Sequence, residues 1–268
     1  MTTPAEEAAA IIQSRCEIGA IDTAFILGRV FFGVADLGER VATIPYAELP
    51  GFPVGSGVED GELIVSMIDG LPTVILKGSS TFHETGDPSL MASALETLTL
   101  LGVRYVLCTG LVLSVQADLV PSSIVLVTDH INFTGLNPLI GAPAGGKAMI
   151  NMNEAYDKRL LRRIKTAAAT AGVAVHEGVM MWFSGPSFET PAEAKVARQL
   201  GADILGWTII PEAILARRYG LLFSGIAVVT DFGAGFSNGN PSADLTRGSA
   251  VAGIVATKRL LRSFVKIR

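Results

Sequence analysis

Residues 178–183 (Gly-Val-Met-Met-Trp-Phe) form a short apolar run, followed by Gly185-Pro186 and then by Thr190-Pro191-Ala192-Glu193. An apolar run of this length reads as a buried strand, and Gly-Pro stops it. Thr190 suits an N-cap, Pro191 suits the first helical position, and Glu193 stands where a capping-box acid belongs, so a helix is predicted over residues 192–200. A buried strand handed to a helix within a few residues points to an α/β chain. Phe188 and Glu189 then lie at the carboxyl end of a strand, just ahead of a helix, where open α/β sheets bind ligands. An aromatic face beside a carboxylate suits a flat, hydrogen-bonding heterocycle. The competing reading is an ordinary junction with Phe188 in the core, and spacing alone favours it because core aromatics are common.

The rest of the chain repeats the alternation. Helices are predicted over residues 5–15, 89–101, 156–171, 211–218 and 245–264. Strands are predicted over 23–27, 63–68, 73–77, 105–108, 124–128, 173–175, 179–183 and 222–230. Asp69-Gly70 between two of them is a strong hairpin signal. Residues 28–40, 77–88, 133–153 and 231–244 read as loops, and 109–114 as an apolar loop. The 268 residues show no repeat and no linker. The expectation is α/β: one domain, 1–268, with a mixed, mostly parallel central sheet flanked by helices and the mixing near the hairpin.

Hydrophobic residues make up 49% of the chain and charged residues only 17%. That suits a sheet covered on both faces, with an apolar subunit interface. A net charge of -4 argues against nucleic acid and anionic membranes as partners. Cys16 and Cys108 offer neither metal-ligand spacing nor a disulfide framework, which fits a reducing cytoplasm. The acidic start, Met1-Thr2-Thr3-Pro4-Ala5-Glu6-Glu7, lacks the basic region of a signal peptide. Residues 105–115 are too few to span a bilayer.

Several stretches together resemble a known family. The segment 185–193 is similar to the purine-binding signature of the purine nucleoside phosphorylases of the trimeric kind, which include methylthioadenosine phosphorylase. Gly201-Ala202-Asp203, Gly206 and Thr208-Ile209-Ile210-Pro211-Glu212 resemble that family's GADxxGMSTVPE segment. Asp129-His130-Ile131-Asn132, Gly135 and Asn137-Pro138-Leu139 resemble its DHIN…G…NPL loop, and Ile44-Pro45-Tyr46 with Phe52-Pro53 its IPY…FP stretch. The similarity runs from about Asp22 to the last helix.

The resemblance implies phosphorolysis of a purine nucleoside, with inorganic phosphate as co-substrate and no metal or organic cofactor. It assigns Phe188 to stacking on the base. Glu189 becomes the carboxylate that reads N1–H and the 2-amino group, and Asp231 the group facing N7 and position 6, with a catalytic role. Asp231 is the choice of the methylthioadenosine enzymes and Glu189 that of the 6-oxopurine enzymes, so both 6-amino and 6-oxo purines stay open. Trp207, replacing a Met, would line the sugar together with Arg247 and with Met149 lent by a neighbouring subunit of a homotrimer. Thr208 and His83 would hold phosphate, His83 also serving catalysis.

The phosphate loops depart from the family. Arg29 stands in place of a hydroxyl residue in Gly28-Arg29-Val30-Phe31-Phe32-Gly33, and either binds an anion or fills the site. Ser79 or Ser80 replaces an Arg. Thr109-Gly110-Leu111-Val112-Leu113-Ser114 lacks the paired glycines, which puts the aliphatic Leu111 against phosphate. The second expectation is therefore a binding protein of the same fold, with Phe31, Phe32, Leu111, Val112, Leu113 and Trp207 lining an apolar cleft for a flat aromatic ligand.

Overall fold

The computed structural model describes residues 2–16, 19–54, 61–78, 82–141, 149–236, 248 and 250–267. Helix α1 (Pro4–Arg15) opens with a full capping box between Thr3 and Glu6. It is followed by β1 (Thr23–Leu27), a 3-10 segment (Arg29–Asp36), β2 (Glu39–Pro45), β3 (Glu62–Ile68), β4 (Leu71–Lys77), the short α2 (Phe82–Thr85), α3 (Ala92–Leu100), β5 (Tyr105–Ser114) and β6 (Ile124–Asn132). The chain continues through α4 (Lys158–Thr170), β7 (His176–Trp182), α5 (Pro191–Gln199), β8 (Ile204–Gly206), α6 (Ile210–Tyr219), β9 (Leu222–Phe232) and α7 (Val251–Lys266).

The strands form one nine-stranded sheet in the order β2-β3-β4-β1-β5-β8-β7-β6-β9, and β5 also pairs with β9. The extra pairing closes β5, β8, β7, β6 and β9 into a ring, with β1, β4, β3 and β2 extending from it as an open wing. Strand β5 is the junction. Its residues Tyr105 to Cys108 lie between β1 and β9, while Leu113 and Ser114 turn to pair with β8. Parallel pairs join β1 to β4 and β5, β5 to β9, and β7 to β6 and β8. The sheet is mostly parallel, as expected, but its mixing is not confined to the hairpin: β5–β8 and β6–β9 are antiparallel too.

The expected hairpin is present, with Ile68 opposite Leu71 and both turn residues, Asp69 and Gly70, at positive φ, as a tight two-residue turn requires. Other expectations needed correction. Residues 109–114 are strand, because β9 supplies ladder partners as far as Ser114 opposite Phe232. β6 runs on to Asn132 because β7 accompanies it to Trp182. β2 was read partly as loop; it is an exposed edge strand that ends at Pro45, where a missing N–H costs nothing. Residues 173–175 lie outside β7, and β8 is too short to announce itself. The last helix was expected from 245; residues 245–247 lie outside the described residues.

The core lies on both faces of the sheet. On one side of the ring a small second cluster of Leu113, Val115, Met181, Ala194, Ala197, Ala202 and Leu205 joins α5 to the strands, and Phe188 packs against it.

Candidate active site

The carboxyl ends of β1 and β7, the upper half of β5 and the exit of β8 surround one cleft of about 310 Å3. The residues after β7 enter it through the turn that the sequence announces. Gly185 takes φ +65, and a Cβ there would sit 2.9 Å from the Trp207 ring, so glycine is what lets the indole lie against this backbone. Thr190 and Glu193 then form the expected capping box at the start of α5. Between these fixed points lie Phe188 and Glu189, both on the cleft wall.

Glu189 is buried, and its Oε1 accepts a hydrogen bond from the indole N–H of Trp207 at 3.0 Å. Burial holds its carboxyl above the usual carboxylate range; hydrogen bonds from its own backbone N–H and from Trp207 offset only part of this. Trp207 is braced by rings on two sides. Its centroid is 5.2 Å from that of Phe188, and 5.4 Å from that of His83 in an edge-to-face contact. Its own carbonyl accepts from the indole N–H of Trp182 at 3.2 Å.

Thr208 follows. It opens a γ-turn in which the Ile210 N–H donates to the Thr208 carbonyl at 2.9 Å, with Ile209 at φ 74, ψ -47. A β-branched residue in that conformation is strained, and such strain persists only where the surroundings enforce it. Ile209 is fully buried, and the carboxylate of buried Glu212 accepts its N–H and Glu212's own. The turn leaves the Thr208 hydroxyl buried at the cleft without a hydrogen-bond partner among the described residues. A Cβ on Gly110 would come within 2.6 Å of that hydroxyl, so this one glycine of β5 gives Thr208 its place. An orphaned buried hydroxyl in a cleft is a donor waiting for an acceptor.

The cleft is also lined by Arg29, His83 and the aliphatic Leu111, Val112 and Leu113. Arg29 is ion-paired to Glu84, with its own side chain 57% exposed, so the guanidinium stands at the rim rather than filling the cleft. Phe31 lines the cleft, but Phe32 does not; Lys77 sits over its ring instead, at 5.2 Å. Thr230 is the wall residue at the end of β9, one position before Asp231. The half-buried Asp231 accepts the Phe232 N–H at 2.7 Å. Met149 is 94% exposed and away from this chain's cleft, and Arg247 lies outside the described residues, as do Ser79 and Ser80.

The sequence reading missed Glu84, Gly110, Thr230 and Glu212 as parts of this arrangement. Only Glu212 had a signal, since it closes the GAD-to-PE segment; the other three depend on contacts between residues far apart in the chain.

The chain belongs to the phosphorylase superfamily, whose pattern it matches over residues 23–266. Among curated relatives, purine nucleoside phosphorylase 1 of Geobacillus stearothermophilus is 35% identical over 214 residues, covering 78% of each chain. Purine nucleoside phosphorylase of Mycobacterium tuberculosis is 32% identical over 236 residues, covering 87% of this chain and 84% of that one. Among solved structures, a Schistosoma purine nucleoside phosphorylase in complex with hypoxanthine superposes with a TM-score of 0.89 at 25% identity, covering 99% of both chains.

Proposed function

We infer that this protein is an enzyme that cleaves purine nucleosides by phosphorolysis. The observation that carries the reading is one cleft holding a buried carboxylate against two aromatic rings, with a threonine hydroxyl on the same lining that has no hydrogen-bond partner among the described residues. Such a site offers a base pocket and an anion donor side by side. The membership of the family and the curated relatives support it, and weigh against a mere binding protein.

In the reaction a phosphate oxygen bonds to the anomeric carbon as the bond from that carbon to N9 breaks. The bonding electrons leave with the purine and are neutralised by a proton at N7, giving free base and pentose 1-phosphate. In our reading Phe188 stacks on the base, Glu189 accepts N1–H, and Asp231 serves N7 and position 6. Trp207 lines the sugar, with Arg247 and a neighbour's Met149 at its far side. Thr208 and His83 hold phosphate, with Leu111 as an aliphatic wall and Arg29 at the mouth. No cofactor is needed. The carboxylate at N1 favours a 6-oxopurine, because adenine N1 is an acceptor.

The phosphate subsite is thin in charge, since Arg29 is already tied to Glu84. We therefore expect phosphate-dependent release of hypoxanthine from inosine, with a turnover below the typical ~10 per second and a high KM for phosphate. A coupled assay run with and without phosphate checks this. Base release that ignores phosphate would mean hydrolysis, and no release from inosine, adenosine or methylthioadenosine would sink the reading.

A further inference from the structure

We propose that Trp207 makes this site select 6-oxopurines without a 2-amino group, by taking up one oxygen of Glu189. The inference rests on the reading of Glu189 as the base-binding carboxylate. A 2-amino-6-oxopurine such as guanine presents two donors side by side, N1–H and the 2-amino group. Its full recognition needs both oxygens of a carboxylate, as in any two-pronged contact. Hypoxanthine presents N1–H alone and needs one. Here Oε1 already accepts the indole N–H at 3.0 Å, and the Glu189 backbone N–H donates to the same carboxylate, so part of its accepting capacity is taken before a base arrives.

The indole cannot step aside without disturbing its neighbours. Phe188 and His83 contact its ring, and the Gly185 backbone lies too close to admit even a Cβ. Withdrawal would also strip a buried, desolvated carboxyl of a hydrogen bond. A 2-amino group brought to the same oxygen therefore meets a second donor aimed at it. It has to share that oxygen with the indole N–H, so the bond it gains is weaker than one to an unshared oxygen, while the bonds it made to water are lost. The sequence signal is the single large residue in the GADxxG…TxxPE segment, at the position where the family it resembles has Met.

The experiment compares guanosine with inosine as substrates, and guanine with hypoxanthine as titrated ligands, in the wild type and in Trp207→Phe. Phenylalanine keeps a ring against Gly185 but has no N–H. The wild type should favour the hypoxanthine partner by about tenfold or more, the worth of one charge-assisted bond. Trp207→Phe should raise the guanosine-to-inosine ratio of kcat/KM by about the same factor. The ratio is the readout because any general loosening of Glu189 affects both substrates alike. Equal use of guanosine and inosine by the wild type overturns the proposal, and needs no folded variant to be seen. A folded Trp207→Phe enzyme with an unchanged ratio overturns it as well, and makes Trp207 a sugar or packing residue only. If neither hypoxanthine nor guanine binds the wild type, the reading of the base site fails and takes this inference with it. If both bind alike, this inference alone fails.

Discussion

Burying a carboxylate costs free energy unless hydrogen bonds replace its water, and Glu189 meets that cost only in part. Its raised pKa has a kinetic consequence. To accept N1–H of a 6-oxopurine the group must be ionised, so kcat/KM for inosine should fall as pH drops through the raised pKa and level off above it. Glu189→Gln should remove this acid limb and lower kcat/KM for inosine by about a hundredfold, the loss of one charge-assisted bond. A pH profile of kcat/KM in both proteins checks it; an acid limb that survives in Glu189→Gln belongs to another group. The turn and cap signals around Phe188 and Glu189 made their place at the end of a strand legible, but spacing alone favoured an ordinary junction, and their proposed roles came from the family resemblance. What could not be read is that Trp207, some twenty residues on, would reach back and bond Glu189, since that contact is made by strand order. Nor could the pairing of Arg29 with Glu84 be read; of the two alternatives for Arg29, an anion contact or filling the site, its place at the rim goes against the second.

Among the elements, α6 is the one whose start matters most. The strained Ile209 turn, the buried Glu212 and the orphaned Thr208 hydroxyl form one unit, with Gly110 of β5 making room. Burial pushes the Glu212 carboxyl up to about 7, backbone donors notwithstanding. Because its pKa is higher in the folded chain than in the unfolded one, the fold prefers the protonated form. The stability this group contributes is therefore complete below pH about 4.5, declines as pH rises, and is gone above about 7. Glu212→Gln keeps an oxygen for the Ile209 N–H but cannot ionise. Relative to the wild type, the variant should gain up to about 3 kcal/mol between pH 5 and pH 8, at about 1.4 kcal/mol per pKa unit. Urea unfolding at the two pH values measures this; parallel pH dependence in the two proteins would show that Glu212 titrates as an ordinary carboxylate. Element boundaries were read well where a cap or turn residue marked them, as at Thr190 and Asp69-Gly70. They were misread where only a partner strand decides, as for the upper half of β5, which looks like an apolar loop until β9 lies beside it.

At the scale of the whole molecule, the ring and wing of the sheet place the cleft at the strand ends. Phe133 and Ile140, in the stretch after β6, are exposed, and Met149 is almost wholly so. We propose that these exposed apolar side chains, in a chain with only 17% charged residues, belong to a surface that another copy covers. The alternation of strands and helices conveyed the α/β class, but no pattern in one chain records where a second chain sits; the low charged content suggested an apolar interface, and the trimer came from the resemblance. We expect a homotrimer in which Met149 of one subunit borders the cleft of the next. Light scattering should then give a trimer mass at micromolar concentration. Met149→Asp should weaken assembly, because it puts an unpaired charge into an apolar contact at a cost of a few kcal/mol. The dissociated subunits should lose sugar-side contacts, so KM for inosine should rise while hypoxanthine still binds in the base pocket. A wild-type monomer that is fully active, or a Met149→Asp protein that assembles and turns over as before, would remove both the interface and the lent residue from the picture.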